Sequence, residues 1–159
     1  MKKLILFTFT LTTIFAGDLY FNHDGWDRSA YYFKPSCIDD SDGNLSPAVP
    51  LVFMIHGLGG VGWDFYNFSE LAEDSCFMVV FPSGLYNTWN AGPEMGYAHD
   101  IDDNSYFDAL IDTLHHTYSI DTNRVYLTGH SMGGAMASHM NCTSTSFTAY
   151  GGSGGLINP

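Results

Sequence analysis

A chain of 159 residues, 45% hydrophobic and 14% charged, is long enough for one globular domain, or part of one, and too apolar for disorder. Seventeen acidic side chains against five Lys and Arg give a formal charge of −12. That balance excludes a nucleic-acid partner, whose recognition rests on cationic neutralisation of phosphates.

Met1-Lys2-Lys3 supplies a short positive start, residues 4–15 are apolar with only Thr interrupting, and Ala16-Gly17 are small. This pattern reads as a secretory signal peptide over 1–16, cleaved after Ala16. The apolar run is well short of the roughly 20 residues a membrane span needs. The protein is therefore expected outside the cell or in a periplasm, with no membrane association after cleavage and with residues 17–159 as one domain. Loss of Lys2 and Lys3 leaves Arg28, Lys34 and Arg124 as the fixed cations. Cys37, Cys76 and Cys142 are an odd number for an exported chain, so one thiol is free or its partner lies outside these residues. Their spacing matches no zinc pattern.

Residues 19–21 and 29–33 suit an opening antiparallel pair around His23-Asp24-Gly25. Residues 37–50 form a polar loop. The continuous apolar run 51–55 is the mark of a strand buried on both faces of a parallel sheet. Residues 77–81 repeat the mark and are stopped by Pro82; 124–128 are a third such strand and 147–150 a weaker fourth. Between them, Phe65, Phe68, Leu71 and Ala72 share one helical face, and Phe107, Leu110, Ile111, Leu114 and Tyr118 share another. Asp102, Asp103 or Ser105 can cap that second helix. A third helix over 132–140 carries Met132, Met136 and Met140 at a spacing of four. Strand–helix alternation of this kind predicts an α/β fold with a mostly parallel sheet flanked by helices.

Two loops at strand ends carry the chemistry. Gly129-His130-Ser131-Met132-Gly133-Gly134 follows one strand, opens a helix and fits G-x-S-x-G, the strained turn that exposes a nucleophilic serine. His56-Gly57-Leu58-Gly59-Gly60 follows the first buried strand. There the Leu58 amide, with that of Met132 after the serine, would make an oxyanion hole. Asp40-Ser41-Asp42-Gly43-Asn44 fails the EF-hand template, because positions one and twelve would be Ile38 and Val49. His99-Asp100-Ile101-Asp102-Asp103 is better explained as helix capping. No metal or cofactor is expected. Asn44, Asn67 and Asn141 head N-x-S/T sequons.

The ordered set His23-Asp24-Gly25 with Arg28-Ser29, P-L-V-F-M-I-H-G-L-G-G (50–60), F-P-S-G (81–84), W-N-A-G (89–92), D-D-N-S-Y-F-D-A-L-I-D-T-L (102–114) and R-V-Y-L-T-G-H-S-M-G-G-A-M (124–136) resembles the secreted polyhydroxybutyrate depolymerase and feruloyl esterase group of α/β-hydrolases. The resemblance covers nearly all of 17–159. It implies a serine carboxylesterase acting on polyester, or on hydroxycinnamate and acetyl esters of plant polysaccharide. Ser131 matches the family nucleophile, Leu58 and Met132 its oxyanion positions, and Trp89-Asn90 a segment that would wall the substrate. Pro93-Glu94-Met95 stands where relatives often carry cysteines.

In this fold the triad runs Ser, then Asp or Glu, then His. After Ser131 the sequence contains no Asp or Glu, and His139 falls about two helical turns from the serine. His56, His115, His116 and His130 are not read as the base. The chain is therefore expected to be the N-terminal part of an α/β-hydrolase, incomplete at its C-terminus and of little activity alone, with the acid and histidine in sequence that follows. The alternative expectation is a non-catalytic secreted module holding polysaccharide or polyester through the Trp63/Trp89 region. Oligomeric state cannot be read from the sequence.

Overall fold

The computed structural model describes residues 15–38, 47–95 and 100–155. Most of the predicted signal segment, the acidic loop 40–44 and His99 lie outside the described residues.

Six strands form one sheet in the order β1-β2-β4-β3-β5-β6. The hairpin β1 (Phe15–His23) and β2 (Trp26–Lys34) turns at Asp24-Gly25, both at positive φ, and β2 lies antiparallel on β4 (Met78–Ser83). β3 (Val49–Ile55), β5 (Ile120–His130) and β6 (Ala149–Ser153) run parallel to β4. The sheet is thus mostly parallel, with an antiparallel hairpin at one side.

Helices cover both faces. Helices α2 (Asp103–Thr117) and α3 (Met132–Thr143) bury Phe107, Leu110, Leu114, Met136 and Met140 against Leu51, Phe53, Ile55 and Leu127. The short α1 (Ser69–Ser75), preceded by a 3₁₀ segment (Gly62–Phe68), covers Phe33, Val79 and Phe81 on the other face. Asp102 caps α2 by accepting the Ser105 amide at 3.0 Å. Cys37 and Cys76 form a disulfide between the segment after β2 and the end of α1, which leaves Cys142 as an exposed thiol.

Four expectations need correction. Pro82 does not stop β4, which runs on to Ser83. β3 pairs with β4 only through Val80, so at Pro82 the strand has β2 alone as neighbour, and a missing N–H is tolerated in a one-sided ladder. Leu71 is 53% exposed while Ala72 is fully buried. The 3₁₀ segment winds about three residues per turn, which shifts the phase of the helix that follows it. The strand β6 begins at Ala149, and Phe147 is a core residue before it, 5.2 Å from Phe53. Finally, β3 is fully buried only toward α2 and α3, since Val52 and Met54 on the α1 side are half-buried.

Candidate active site

β5 delivers Ser131 to the sheet edge and α3 leaves from it. Ser131 has φ 54° and ψ −118°, a strained conformation for a residue with a side chain. Packing holds it there. A Cβ on Gly129 would lie 2.5 Å from the Gly133 carbonyl carbon, and one on Gly133 would lie 2.4 Å from the Ile55 oxygen. Only glycines allow β5, α3 and the end of β3 to approach this closely. The Ser131 amide donates to the Ser153 carbonyl at 2.7 Å, and its carbonyl accepts from Ala135 at 3.0 Å. The hydroxyl stands exposed at the first turn of α3, where the helix dipole is positive.

The turn after β3 faces it. A Cβ on Gly57 would sit 3.3 Å from Ser131 Cβ and 3.8 Å from its Oγ, so any side chain there would crowd the serine. Hydrogen bonds pin this turn. The buried His56 accepts the Gly84 amide on Nε2 at 3.0 Å, so its proton lies on Nδ1 and is donated to the Gly57 carbonyl at 2.7 Å. Burial pushes the ring below the ordinary histidine range and keeps it neutral, with the Gly57 carbonyl acting in the opposite direction. In a trans peptide C=O and N–H point to opposite sides, so holding the Gly57 oxygen turns the Leu58 amide away from His56. The Gly59 amide donates to the Asn87 carbonyl at 2.7 Å, and Asn87 Nδ2 donates to the Gly60 carbonyl at 3.1 Å. Among the described residues the Leu58 amide has no backbone carbonyl partner.

Trp89 does not wall a substrate: its side chain is fully buried. The indole lies 4.8 Å from the His56 ring and donates Nε1–H to the His56 carbonyl at 2.9 Å. It fixes the peptide before Gly57, a role that sequence reasoning missed and that only its proximity to H-G-x-G in the fold exposes. Asn90 is half-buried; its amide donates to Asp103 at 2.7 Å and its Nδ2 to the Ile101 carbonyl at 2.8 Å. Asp103 also receives Arg28 at 2.7 Å, both side chains being buried, and the Arg28 guanidinium lies 3.7 Å over the Tyr106 ring. Burial pushes the Asp103 carboxyl up, opposed by the Asn90 amide and by Arg28.

The other described histidines lie away from the serine hydroxyl's bonds, with His23 Nε2 2.8 Å from Ser105 Oγ. His130 Nδ1 lies 3.2 Å from Ser153 Oγ, and the ring of His139 lies beside Gly92. His115 and His116 bond the carbonyls of Ile120 and Asp112. Among the described residues no histidine is hydrogen-bonded to Ser131 Oγ, and no cluster of His, Cys, Asp and Glu could hold a metal ion.

A serine elbow between β5 and α3, facing a glycine turn after β3, defines the α/β-hydrolase fold. Residues 52–158 match the alpha/beta hydrolase family, and the chain belongs to it. It is 30% identical over 130 residues to a bifunctional acetylxylan esterase/xylanase of Neocallimastix patriciarum, covering 76% of this chain and 16% of that protein. Acetylxylan esterase A of Emericella nidulans is 28% identical over 114 residues, covering 68% and 38%. The chain thus spans well under half the length of these curated relatives. Two solved structures share the fold. An acetyl xylan esterase from Aspergillus awamori has a TM-score of 0.62 at 23% identity, over 78% of this chain and 45% of that one. A ferulic acid esterase from Anaeromyces mucronatus has a TM-score of 0.59 at 18% identity, over 91% and 65%.

Proposed function

We propose that the protein is an exported serine esterase that removes acyl groups from plant polysaccharide. Ser131 Oγ attacks the ester carbonyl, and the amides of Leu58 and Met132 hold the oxygen as it becomes an anion. Collapse expels the sugar hydroxyl with a proton and leaves an acyl-serine, which water hydrolyses to the free acid. In this reading the serine proton passes to a histidine base oriented by an acid, and among the described residues no histidine is bonded to Ser131 Oγ.

The observation that carries this reading is the strained Ser131, held between Gly129 and Gly133 with Gly57 against it. Acetylxylan esterases among the relatives favour an acetyl ester of polysaccharide over the polyester that the sequence resemblance also allowed. Export is supported by the N-terminal signal pattern and agrees with the Cys37–Cys76 disulfide.

The test is a fluorophosphonate probe and an acetylxylan assay on the full-length protein. Wild type is expected to label at Ser131 and to release acetate; Ser131→Ala is expected to lose labelling and about 10⁶-fold in turnover. A folded full-length protein that neither labels nor hydrolyses would be a binding module instead. For that module Trp63 is 53% exposed, whereas Trp89 is buried.

A further inference from the structure

The β1–β2 hairpin turns at the same sheet edge as the elbow. Ser29 pairs with Ser83 at the end of β4, so Trp26 extends past that end and meets the residues that follow β4. There it finds Tyr86, edge to face at 6.0 Å. Tyr86 is 72% exposed and Trp26 39%. Tyr86 and Asn87 are consecutive non-glycine residues at φ 55° and 58°, a strained pair in the turn after β4. Asn87 is the residue bonded to Gly59 and Gly60, and Leu58 between these parts is 53% exposed. The order along the surface is therefore Ser131, the oxyanion turn, Asn87, Tyr86 and Trp26.

We propose that Trp26 and Tyr86 are a sugar-binding platform that seats a neutral β-linked pyranose chain beside the oxyanion turn. This inference rests on the polysaccharide-ester reading above. Pyranose rings present C–H faces that stack on aromatic rings and hydroxyls that need polar partners at the edge. Both are present. The exposed Asn87 follows Tyr86, and the exposed Asp24 and Asp27 flank the turn that carries Trp26. Exposed aromatic groups with polar neighbours mark a binding surface. The exposed Asp24 and Asp27 beside Trp26 disfavour an anionic polymer on this surface and cost a neutral glycan nothing.

The chain carries three tryptophans, and their indole N–H signals in NMR distinguish the possible sites. Titration with xylohexaose is expected to shift Trp26 saturably, while buried Trp89 and Trp63, whose ring stacks on Tyr66, stay in place. Tyr86→Ala, a change at an exposed position, is expected to weaken binding about 3- to 10-fold, the worth of one aromatic stacking contact. No shift, a shift of Trp63 alone, or unchanged affinity in Tyr86→Ala would overturn the platform. Phosphonate labelling at Ser131 on the same full-length protein separates the two readings. A protein that labels without binding loses the platform only, and one that binds without labelling loses the esterase only.

Discussion

The two turns that build the site are held in different ways. The elbow is fixed by contact: Gly129 and Gly133 let three backbone segments meet, and the strain at Ser131 is contained by that packing. The oxyanion turn is packed unevenly: a Cβ on Gly57 or Gly60 would meet neighbours at 3.3 and 2.6 Å, whereas one on Gly59 would have nothing within 4 Å. It is fixed by hydrogen bonds from residues about 30 positions later, namely Gly84, Asn87 and Trp89. A turn set by sterics is written in its own few residues, and a turn set by distant donors is not. The elbow should therefore break through added volume and the oxyanion turn through lost donors.

The largest effect is expected at Gly133→Ala, whose methyl would meet the Ile55 and His56 oxygens at 2.4 and 2.7 Å. Neither backbone atom can move without displacing the end of β3, so the cost should be about 3 kcal/mol or more. Gly59→Ala bears only the strain of φ +81°, about 1 kcal/mol. Urea midpoints of the two variants measure the contrast, and equal losses would contradict it. Trp89→Phe keeps the buried ring but orphans the His56 carbonyl, at about 1–3 kcal/mol. It should slow phosphonate labelling at Ser131 while far-ultraviolet circular dichroism stays native.

The smallest effect is a pH dependence. Because His56 titrates lower when folded than when unfolded, the unfolded chain binds more protons as pH falls through about 6.5. Its contribution is complete above that value and fades below it, at no more than about 1.4 kcal/mol per pH unit. Protonation would put a second proton on Nε2 and break the bond from Gly84. Urea midpoints between pH 7.5 and 5.5 should fall, and His56→Gln should flatten that slope.

This contrast also explains what the sequence made legible. The elbow, the turn, the three principal parallel strands and a cap within 102–105 were readable because each lies in a local pattern of glycines, apolar runs or capping residues, while the choice of Asp102 came from the structure. Trp89 was misread as substrate wall because its partner carbonyl lies 33 positions earlier. Leu71 was misassigned because one 3.6-residue period was carried across a 3₁₀ segment. The pairing of Cys37 with Cys76 was open among three cysteines until α1 brought their ends together.

Arg28 and Asp103 lie 75 positions apart in the chain, yet they form an ion pair with almost no access to water. Stranding one partner of such a pair costs about 3–5 kcal/mol, more than the loss of most apolar contacts. The hairpin and the start of α2 therefore cannot come apart one at a time without leaving a bare charge in the interior. Between them the pair acts as a latch, and the two elements open together or stay closed together. The hairpin that brings Trp26 to the rim of the site is thereby stopped from fraying as a free arm.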